Sequence, residues 1–525
     1  MQNTWRPLLP LLLTLVISCS ARPDSVQIED ENPSDETDSK DTNDPDTADS
    51  DADTDSDSDS DGDGDGDNDS DSESMEDADT HSDGSDSPDT NGDTADTEPA
   101  PFWVPKGPKQ LKPGHVELNC SLDVLITENG LRENCNTAPV PCIPDEPKVT
   151  CEMRILGEED NVEYDGLVGI ERRGRSSIQY NKPSYAFEFR FEDGSDNPVP
   201  CMGMGKESDW ILDGSWVDRS FLRNNIVLDI FSELGPKTHY GPDSRFVELT
   251  FNGEAQGIYR LVEKIKRDDD RVDIPKDDGT GETFIIKHDD DGTLSMPLGL
   301  IQNRWGLVYP NDSNVTDTQL NAIEGWMTDF AEALNAGDAF TMLNMDNVVD
   351  FVLLQELAKN IDGFQFSLYL FKEKGELANM VPWDFDLAFG QPRIDEDLSW
   401  PNESPEGWVA HHSNLIARFL DDEEFTARLE TRFAQLRTGP LSLDAIDTRI
   451  DEYLMVLSDD VIENNFNIWP MENVAFEYIY SPYHLYDIES HSAEISKLRQ
   501  WIHDRLAWMD DHLSEYAAYS DSIEK

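Results

Sequence analysis

Basic residues are scarce in this sequence. Its 525 residues include 40 Lys and Arg against 111 Asp and Glu, which gives a formal net charge of −71. So much negative charge repels phosphate backbones, so nucleic acid is not expected as a main partner. The charge is unevenly spread: residues 20–100 carry about −30 of it and residues 101–525 about −42.

Long hydrophobic runs and several enzyme motifs are also missing. The apolar run from Leu8 to Ile17 is too short to span a bilayer as a permanent helix. The chain has no Gly-x-Ser-x-Gly and no His-Glu-x-x-His motif, which argues against the hydrolases that use them. It has no Cys-x-x-Cys pair either, which disfavours a zinc site at its cysteines.

What the N-terminus does contain is an export signal. Arg6 precedes the apolar run, and Val16-Ile17-Ser18-Cys19 follows it and resembles the lipobox of bacterial lipoproteins. We therefore predict a lipoprotein signal peptide over residues 1–19, with Cys19 acylated. The chain would be exported and lipid-anchored to a bacterial membrane, outside the cytoplasm. An ordinary signal peptide with an incidental cysteine is the alternative.

Residues 20–101 are predicted to form a disordered, acidic linker rich in Asp and Ser. Too little apolar surface is present to offset the entropy of ordering the backbone. The Asp-Gly repeat that starts at Asp61 imitates an EF-hand loop, but Ser72 stands where that loop needs a bidentate glutamate. Only loose cation binding is expected there.

The remaining cysteines fit an oxidising compartment. Four fall close together near the start of the predicted domain, and a fifth follows; they are Cys120, Cys135, Cys142, Cys151 and Cys201. We expect two disulfides, with one thiol left over and a pairing that the sequence leaves open.

Residues 102–525 are predicted to form one α+β domain, because strand patterns come first and helical periodicity follows. A smaller β-rich lobe is expected over about 116–300 and a larger helical lobe over 301–525. The predicted strands are Leu122–Ile126, Tyr185–Phe191, Arg245–Phe251, Ile258–Val262 and Phe284–Lys287. The predicted helices run from Phe221 to Leu234, Leu320 to Leu334, Met345 to Ile361, Asn414 to Leu436, Leu443 to Glu463 and Ala493 to Ala517, with Asp218 offered as the N-cap of the first.

The stretch from Asn360 to Gly390 carries the strongest chemical signal. Two short strands, Leu368–Phe371 and Ala378–Val381, are predicted to pair as a hairpin around Gly375. Asp362 precedes the first strand, while Asp384 and Asp386 follow the second, so all three should meet at one edge. Carboxylates so placed suit phosphoryl transfer, in which one holds Mg²⁺ and another orients a hydroxyl. The alternative is that they cap a turn and brace a loop.

Several blocks of this sequence resemble the CotH kinase family, which is distantly similar to eukaryotic-type protein kinases. They are GIERRGRSSIQYNKPSYAFEF from Gly169, DWILDGSWVDRSFLRNNIVLDI from Asp209, FVELTFNGEAQGIYRLVEKI from Phe246, PWDFDLAFG from Pro382 and LRQWIHDRLAWMDDHL from Leu498. The resemblance implies a two-lobed, atypical protein-kinase-like fold. It also implies binding of ATP and Mg²⁺ and phosphorylation of protein Ser or Thr.

By this resemblance Asp362 is the catalytic aspartate and Asp384 a metal ligand, with Asp386 beside it. Lys182 is the candidate for gripping phosphate, and either Glu263 or Lys264 would enter the cleft. The cations Lys182, Arg173, Arg175 and Arg223 are expected to form a basic cleft for the nucleotide, with Arg223 facing it from above.

One position departs from the family pattern. Ser367 stands where the family usually has an asparagine that ligates a second metal, and Gln365 is the candidate to replace it. A catalytically weak pseudokinase that acts as a surface binding module is therefore the second hypothesis. In either case the acidic surface favours a basic or Ser-rich protein partner.

Overall fold

The computed structural model describes residues 103, 106–127, 141–174, 177–235, 237–288, 294, 305–311, 313–360, 362–364, 366–391, 404–410, 413–471, 475–478, 481–484 and 489–519. The strands are β1 (Gly114–Asn119), β2 (Val149–Leu156), β3 (Val162–Arg173), β4 (Ser184–Arg190), β5 (Val199–Cys201), β6 (Met204–Glu207), β7 (Asp209–Asp213), β8 (Ser244–Phe251), β9 (Glu254–Glu263), β10 (Phe284–His288), β11 (Trp305–Tyr309), β12 (Leu368–Lys372), β13 (Asn379–Pro382), β14 (Ala475–Tyr478) and β15 (Ser481–His484). The helices are α1 (Arg223–Leu234), α2 (Asp317–Ala336), α3 (Met345–Ala358), α4 (Asn414–Phe419), α5 (Glu423–Arg437), α6 (Leu443–Val456), α7 (Asp459–Ile468), α8 (His491–His512) and α9 (Tyr516–Tyr519).

Most of the early strands close into a β-barrel. Its order is β1, β2, β3, β4, β7, β9 and β8, with antiparallel neighbours except β1 and β8, which run parallel and close the barrel. Side chains alternate between the two faces of a strand, so every second residue of β1 and β2 points inward. The interior is filled by large side chains that include Phe187, Trp210 and Tyr259.

A four-stranded antiparallel sheet, in the order β11, β10, β12 and β13, lies outside the barrel. In the hairpin of β12 and β13, Leu368 lies opposite Pro382. Gly375 has a φ of 81° in the connecting turn, a left-handed conformation that glycine adopts without steric cost. The hairpin predicted from the sequence is confirmed.

The larger core is built around α3. Every residue of this helix from Asn347 to Ala358 is buried, as expected of a helix covered on all sides. It packs against α1, α5, α8 and β13, so the chain that leaves its C-terminus is held in a fixed position.

The mixed α and β content, with a β-rich region followed by helices, confirms the α+β prediction. The four-stranded sheet takes strands from both sides of residue 300, because β10 pairs with β12. The predicted strand Leu122–Ile126 is wrong, since only Ile126 pairs, in a single bridge with Cys142.

Two predicted helices are each broken in two. Leu420 ends α4, and the Asp422 carboxylate accepts the amides of Glu424 and Phe425 to cap α5. The helix predicted from Leu443 to Glu463 is interrupted at Leu457, before α7 starts.

The cysteines behave as predicted. Cys120 is disulfide-bonded to Cys151, Cys142 is disulfide-bonded as well, and Cys201 is a buried free thiol. Within the described ranges, no helix is long and apolar enough to cross a membrane. Cys19 and the acidic linker lie outside the described residues.

Candidate active site

The hairpin brings two carboxylate-bearing loops to one edge of the four-stranded sheet. Asp362 lies between α3 and β12, and Asp384 and Asp386 follow β13. Asp384 is exposed to solvent and the other two are half-buried. The backbone of Asp384 has a φ of 61°, a left-handed conformation that is uncommon outside glycine. Such conformations concentrate at functional sites, where neighbouring contacts hold them.

The buried side chain of Asn360 joins these two loops. Its Nδ2 donates to the Asp384 carbonyl at 3.0 Å, and its Oδ1 accepts the Asp362 amide at 3.3 Å. The Phe366 amide also donates to the Asp362 carbonyl at 2.7 Å, which makes the loop before β12 compact. Asn360 therefore fixes the position of one carboxylate-bearing loop against the other.

The site is strongly acidic, and its pKa values reflect that. Desolvation raises the pKa of Asp384, and repulsion from Asp362 and Asp213 adds to the rise, while Asp386 and Arg173 oppose it. Desolvation, followed by repulsion from Asp384 and Asp213, raises the pKa of Asp386 well above its usual range. The Asp384 and Asp386 side chains are hydrogen-bonded to each other, and the charge of Asp384 disfavours ionisation of Asp386.

Asp213 was not among the residues that the sequence suggested. It ends β7, and its Oδ2 forms an ion pair with Arg260 Nη2 at 2.6 Å. The available signal was the Asp213-Gly214 pair directly after the apolar residues Trp210 to Leu212. Polar residues at the ends of strands are common in functional sites. Its proximity to Asp384 could not be read from local sequence, because the two lie on different sheets.

Helix α1 anchors the loop that contains Asp384 and Asp386. The Phe385 amide donates to Asn224 Oδ1 at 2.9 Å, and Arg223 Nε donates to the Ala388 carbonyl at 3.0 Å. The Phe389 amide donates to the Ala358 carbonyl at the end of α3, at 2.7 Å. Two helices thus determine where these carboxylates stand.

The structure corrects the expected role of Arg223. Its side chain is fully buried, with Nη1 2.5 Å from Asp218 and Nη2 2.6 Å from Glu494. It therefore braces the Asp384 loop from behind instead of facing an open cleft. Asp218 is not the N-cap of α1, because the helix starts at Arg223 and Leu222 takes the N-cap position. The Asp218 carboxylate, five residues before Arg223, instead accepts a hydrogen bond from the Arg223 amide.

Lys182 is also buried. Its Nζ donates to the Ile258 carbonyl and, at 3.1 Å, to Asn465 Oδ1, and it lies 4.7 Å from the centre of the Tyr259 ring. Desolvation, with repulsion from Arg219, lowers the pKa of Lys182 well below its usual range, although Asp213 opposes that shift. Lys182 therefore interacts with Asp213, which in turn interacts with Asp384 and Asp386.

Glu263 and Lys264 point to opposite faces of β9, and Glu263 is the one turned inward. It accepts hydrogen bonds from the Tyr240 hydroxyl and the Asp243 amide, both at 3.0 Å, and lies 3.6 Å from Arg271. Lys264 Nζ lies 3.4 Å from Asp209. Among the described residues, no hydrogen bond or ion pair joins Glu263 to Lys182, so Glu263 does not orient this lysine by direct contact.

Of the four expected cations, Arg173 is the one that acts directly on the acidic pair. Its guanidinium carbon lies 5.9 Å from the centre of the Trp383 ring, and its charge lowers the pKa of Asp384. Because Lys182 and Arg223 are buried on protein partners, the structure does not assemble the expected open basic cleft from these residues. Arg175 and Gln365 lie outside the described residues.

The carboxylates form a pair, and not a complete metal cage. No group of three or more His, Cys, Asp or Glu in the described part of the chain has the arrangement of a metal site. Mg²⁺ commonly binds one or two carboxylates and takes its other ligands from water and phosphate. The Asp384 and Asp386 oxygens fit such a partial site. Ser367, half-buried with a φ of 54°, stands where β12 begins.

Comparison with known proteins agrees with this arrangement. Residues 170–509, about two thirds of the chain, match the family described as CotH kinase protein. The chain belongs to this family. The matched range contains both loops, the hairpin, α1 and Lys182. Among curated proteins, the chain is similar to the inner spore coat protein H of Bacillus subtilis strain 168, at 22% identity over 354 residues, 66% of this chain and 87% of the relative.

Proposed function

We propose that this CotH family member is an atypical protein kinase with a two-lobed fold, which transfers the γ-phosphoryl group of ATP to a Ser or Thr hydroxyl. The observation that carries the proposal is the hydrogen-bonded pair of Asp384 and Asp386, held beside Asp362 through Asn360. Ionising both of two neighbouring carboxyl groups costs free energy, and a bound cation lowers that cost.

The residues present fit a magnesium-bound nucleotide. Asp384 and Asp386 supply hard oxygen ligands, and the repulsion between them falls when a divalent cation is bound. Mg²⁺ would neutralise phosphate charge in such a site. Arg173 stands near the pair, and Lys182 would contribute a second positive charge towards the phosphates.

Asp362 is assigned the role of the catalytic aspartate. Its carboxylate would orient the substrate hydroxyl and accept its proton, as that oxygen bonds to the γ-phosphorus and the bond to the ADP leaving group breaks. Asn360 would act as a positioning residue, because it fixes the backbone of Asp362 relative to Asp384. The half-buried setting of Asp362 leaves it open to a substrate.

Labelled ATP tests this function directly. The full-length chain is incubated with Mg²⁺ and γ-labelled ATP, and label is followed on the chain itself and on a basic, Ser-rich protein. Asp384→Ala should abolish both transfer and Mg²⁺-dependent nucleotide binding. Asp165→Asn, which removes a carboxylate that is 68% exposed on the barrel strand β3, is the matched control and should behave as the wild type. Equal transfer by Asp384→Ala and wild type would rule out this assignment.

We also propose that the protein works outside the cytoplasm, anchored by a lipid at Cys19. The sequence around Cys19 supports this location, as does the similarity to a protein named as a spore coat component. The net charge of −71 favours a basic or Ser-rich protein as the substrate. Labelling cells with radioactive palmitate and comparing Cys19→Ala with the wild type tests the anchor.

A catalytically weak pseudokinase is the second candidate, and the serine at position 367 favours it. A neutral hydroxyl ligates Mg²⁺ more weakly than the amide oxygen usual in the family. This candidate predicts that ATP binds without transfer, and that Ser367→Asn creates or strongly raises the transfer rate. A wild-type rate that Ser367→Asn leaves unchanged would contradict it.

A further inference from the structure

A second set of polar groups lies near the acidic pair, and it consists of donors. Leu387, next to Asp386, packs against Trp216 and Val217, which lie just before Arg219 in the chain. We call Lys182, Arg219 and Asn465 the donor cluster. Lys182 donates to Asn465 Oδ1 at 3.1 Å, and the Arg219 charge acts on Lys182. The three come from the segment before β4, the segment before α1, and α7.

Arg219 is a buried cation for which the described residues supply no ion pair. Its side chain is only 2% exposed, and within the described part of the chain its Nε and Nη2 have no hydrogen-bond acceptor. The adjacent carboxylate of Asp218 is already occupied by the guanidinium and amide of Arg223 and by Ser220. A buried charge without an ion pair is costly, so Arg219 calls for a counter-charge that the described residues do not bring into contact with it.

The surroundings of Arg219 hold it in place without neutralising it. Its guanidinium carbon stands 4.3 Å from the centre of the Trp216 ring, and Trp469 packs edge-on against Trp216 at 5.8 Å. Asn465, four residues before Trp469, leaves its buried Nδ2 without an acceptor among the described residues. Burial lowers the pKa of Arg219 to about 10, although attraction from the neighbouring Asp218 opposes the shift.

Lys182 adds to the same imbalance. Its hydrogen-bond acceptors among the described residues are a carbonyl and an amide oxygen, neither of which carries a charge. Its nearest acid, Asp213, is paired with Arg260 at 2.6 Å. The Arg219 guanidinium and the Lys182 amine therefore stand together near the carboxylates, and an anion bound there would favour the charged form of the amine. A polyanion that carries a cation of its own would balance both halves.

We propose that Arg219 contacts the phosphate chain of the nucleotide, together with Lys182 and the Asn465 amide. This inference rests on the proposed function and deepens it, because it adds a residue to the phosphate side of the site. The planar guanidinium fork suits two phosphate oxygens at once, which a lysine at this position would not match.

Inorganic tripolyphosphate, which has the phosphate chain but no base or ribose, is the probe. Its binding to the full-length chain is measured by calorimetry in EDTA. No metal held by the acidic pair can then contribute to the affinity. We expect Arg219→Gln to weaken tripolyphosphate binding at least tenfold and Arg219→Lys to weaken it about threefold. Arg154→Gln removes a half-exposed arginine of the barrel strand β2 and should change the affinity less than twofold.

Thermal unfolding without ligand separates a binding role from a structural one. Because Arg219 has no ion pair to lose, Arg219→Gln should unfold at the wild-type temperature or above it. A lower unfolding temperature together with unchanged tripolyphosphate affinity would overturn the proposal. If Arg219→Gln fails to fold, Arg219→Lys decides, and wild-type affinity in that variant overturns the proposal as well.

Transfer from ATP, measured on the same variants, distinguishes this inference from the proposed function. A wild-type transfer rate in Arg219→Gln would refute the role of Arg219 and leave the kinase function standing. Tripolyphosphate binding that depends on Arg219, in a chain that never transfers phosphate, would support the donor cluster and refute the kinase function.

Discussion

At the scale of single residues, the candidate site consists of charges whose effects depend on their neighbours. The charge of Asp384 raises the pKa of Asp386, while the hydrogen bond from Asp386 lowers the pKa of Asp384. Arg223 is just as charged, yet it is neutralised on both sides by Asp218 and Glu494. The same residue type, arginine, therefore braces the core at position 223 and lacks a partner at position 219.

The raised pKa of Asp386 makes stability depend on pH. A carboxyl group has a pKa near 4 when unfolded, and that of Asp386 is raised well above this in the folded chain. Between the unfolded and the folded pKa, the folded state binds more protons than the unfolded state. The contribution of Asp386 to stability therefore falls as pH rises above about 4. We expect Asp386→Asn to remove that part of the decline, as measured by urea unfolding from pH 4 to 8 in EDTA.

Magnesium provides the matching control for that variant. Mg²⁺ should raise the unfolding temperature of the wild type, because a ligand that binds only the folded state stabilises it. The same addition should have little effect on Asp386→Asn. An equal rise in both proteins would show that Asp386 is not a metal ligand.

Asn360 should affect catalysis without binding the substrate. Asn360→Ala removes the hydrogen bonds to the Asp384 carbonyl and the Asp362 amide, at a stability cost of about 1–2 kcal/mol. We expect kcat to fall about 10- to 100-fold with little change in KM, because misplacement of the loops affects the transition state more than binding. A change confined to KM would contradict a positioning role.

At the scale of elements, the Asp384 loop is defined by α1 and by the end of α3. Three contacts hold it: those of Asn224 with the Phe385 amide, Arg223 with the Ala388 carbonyl, and the Ala358 carbonyl with the Phe389 amide. A short loop that is tied to two buried helices has few other conformations available. This explains how Asp384 can keep a positive φ.

The Arg223 network should be sensitive to mutation. Arg223→Met leaves the buried carboxylates of Asp218 and Glu494 uncompensated, so we expect the free energy of unfolding to fall by about 3–5 kcal/mol. Chemical denaturation measures this loss. Arg428→Met, at an exposed ion pair on α5, should cost less than about 1 kcal/mol. Comparable losses in the two variants would mean that Arg223 is not a central brace.

At the scale of the whole molecule, the described chain combines a closed barrel, a four-stranded sheet and a helical core. Asp213 ends the barrel strand β7 and pairs with Arg260, and it lies close enough to the Asp384 loop of the four-stranded sheet to act on that carboxyl group. Chain segments that are far apart in sequence therefore contribute jointly to one acidic site. The large negative charge of the chain does not prevent buried cations from collecting there.

The Cys120–Cys151 disulfide should stabilise the start of the barrel. It joins the end of β1 to β2 across 31 residues. Closing a loop of that length restricts the unfolded chain, so replacing both cysteines with alanine should cost about 2–4 kcal/mol. Thermal unfolding of the double variant tests this. A reducing agent should shift the wild type in the same direction, and by more than it shifts the variant, which keeps the Cys142 disulfide.

The sequence by itself determined much of this protein. Helical periodicity located most of the helices, alternation located six of the fifteen strands, and the Gly375 turn located the hairpin with its flanking carboxylates. Such features depend on neighbours within a few residues, so a local pattern records them. The order of the sequence blocks was enough to indicate the family.

Only the tertiary structure decided the partners of the charged side chains. Arg223 meets Glu494 across 271 residues, and Lys182 meets Asn465 across 283. No periodicity encodes such contacts, because the free energy of a charge depends on burial and on neighbours that arrive from elsewhere in the chain. That is why Arg223 lies outside the expected cleft and why Asp213 belongs to the acidic site. It is also why the sequence did not show that Arg219 has no counter-charge in contact with it among the described residues.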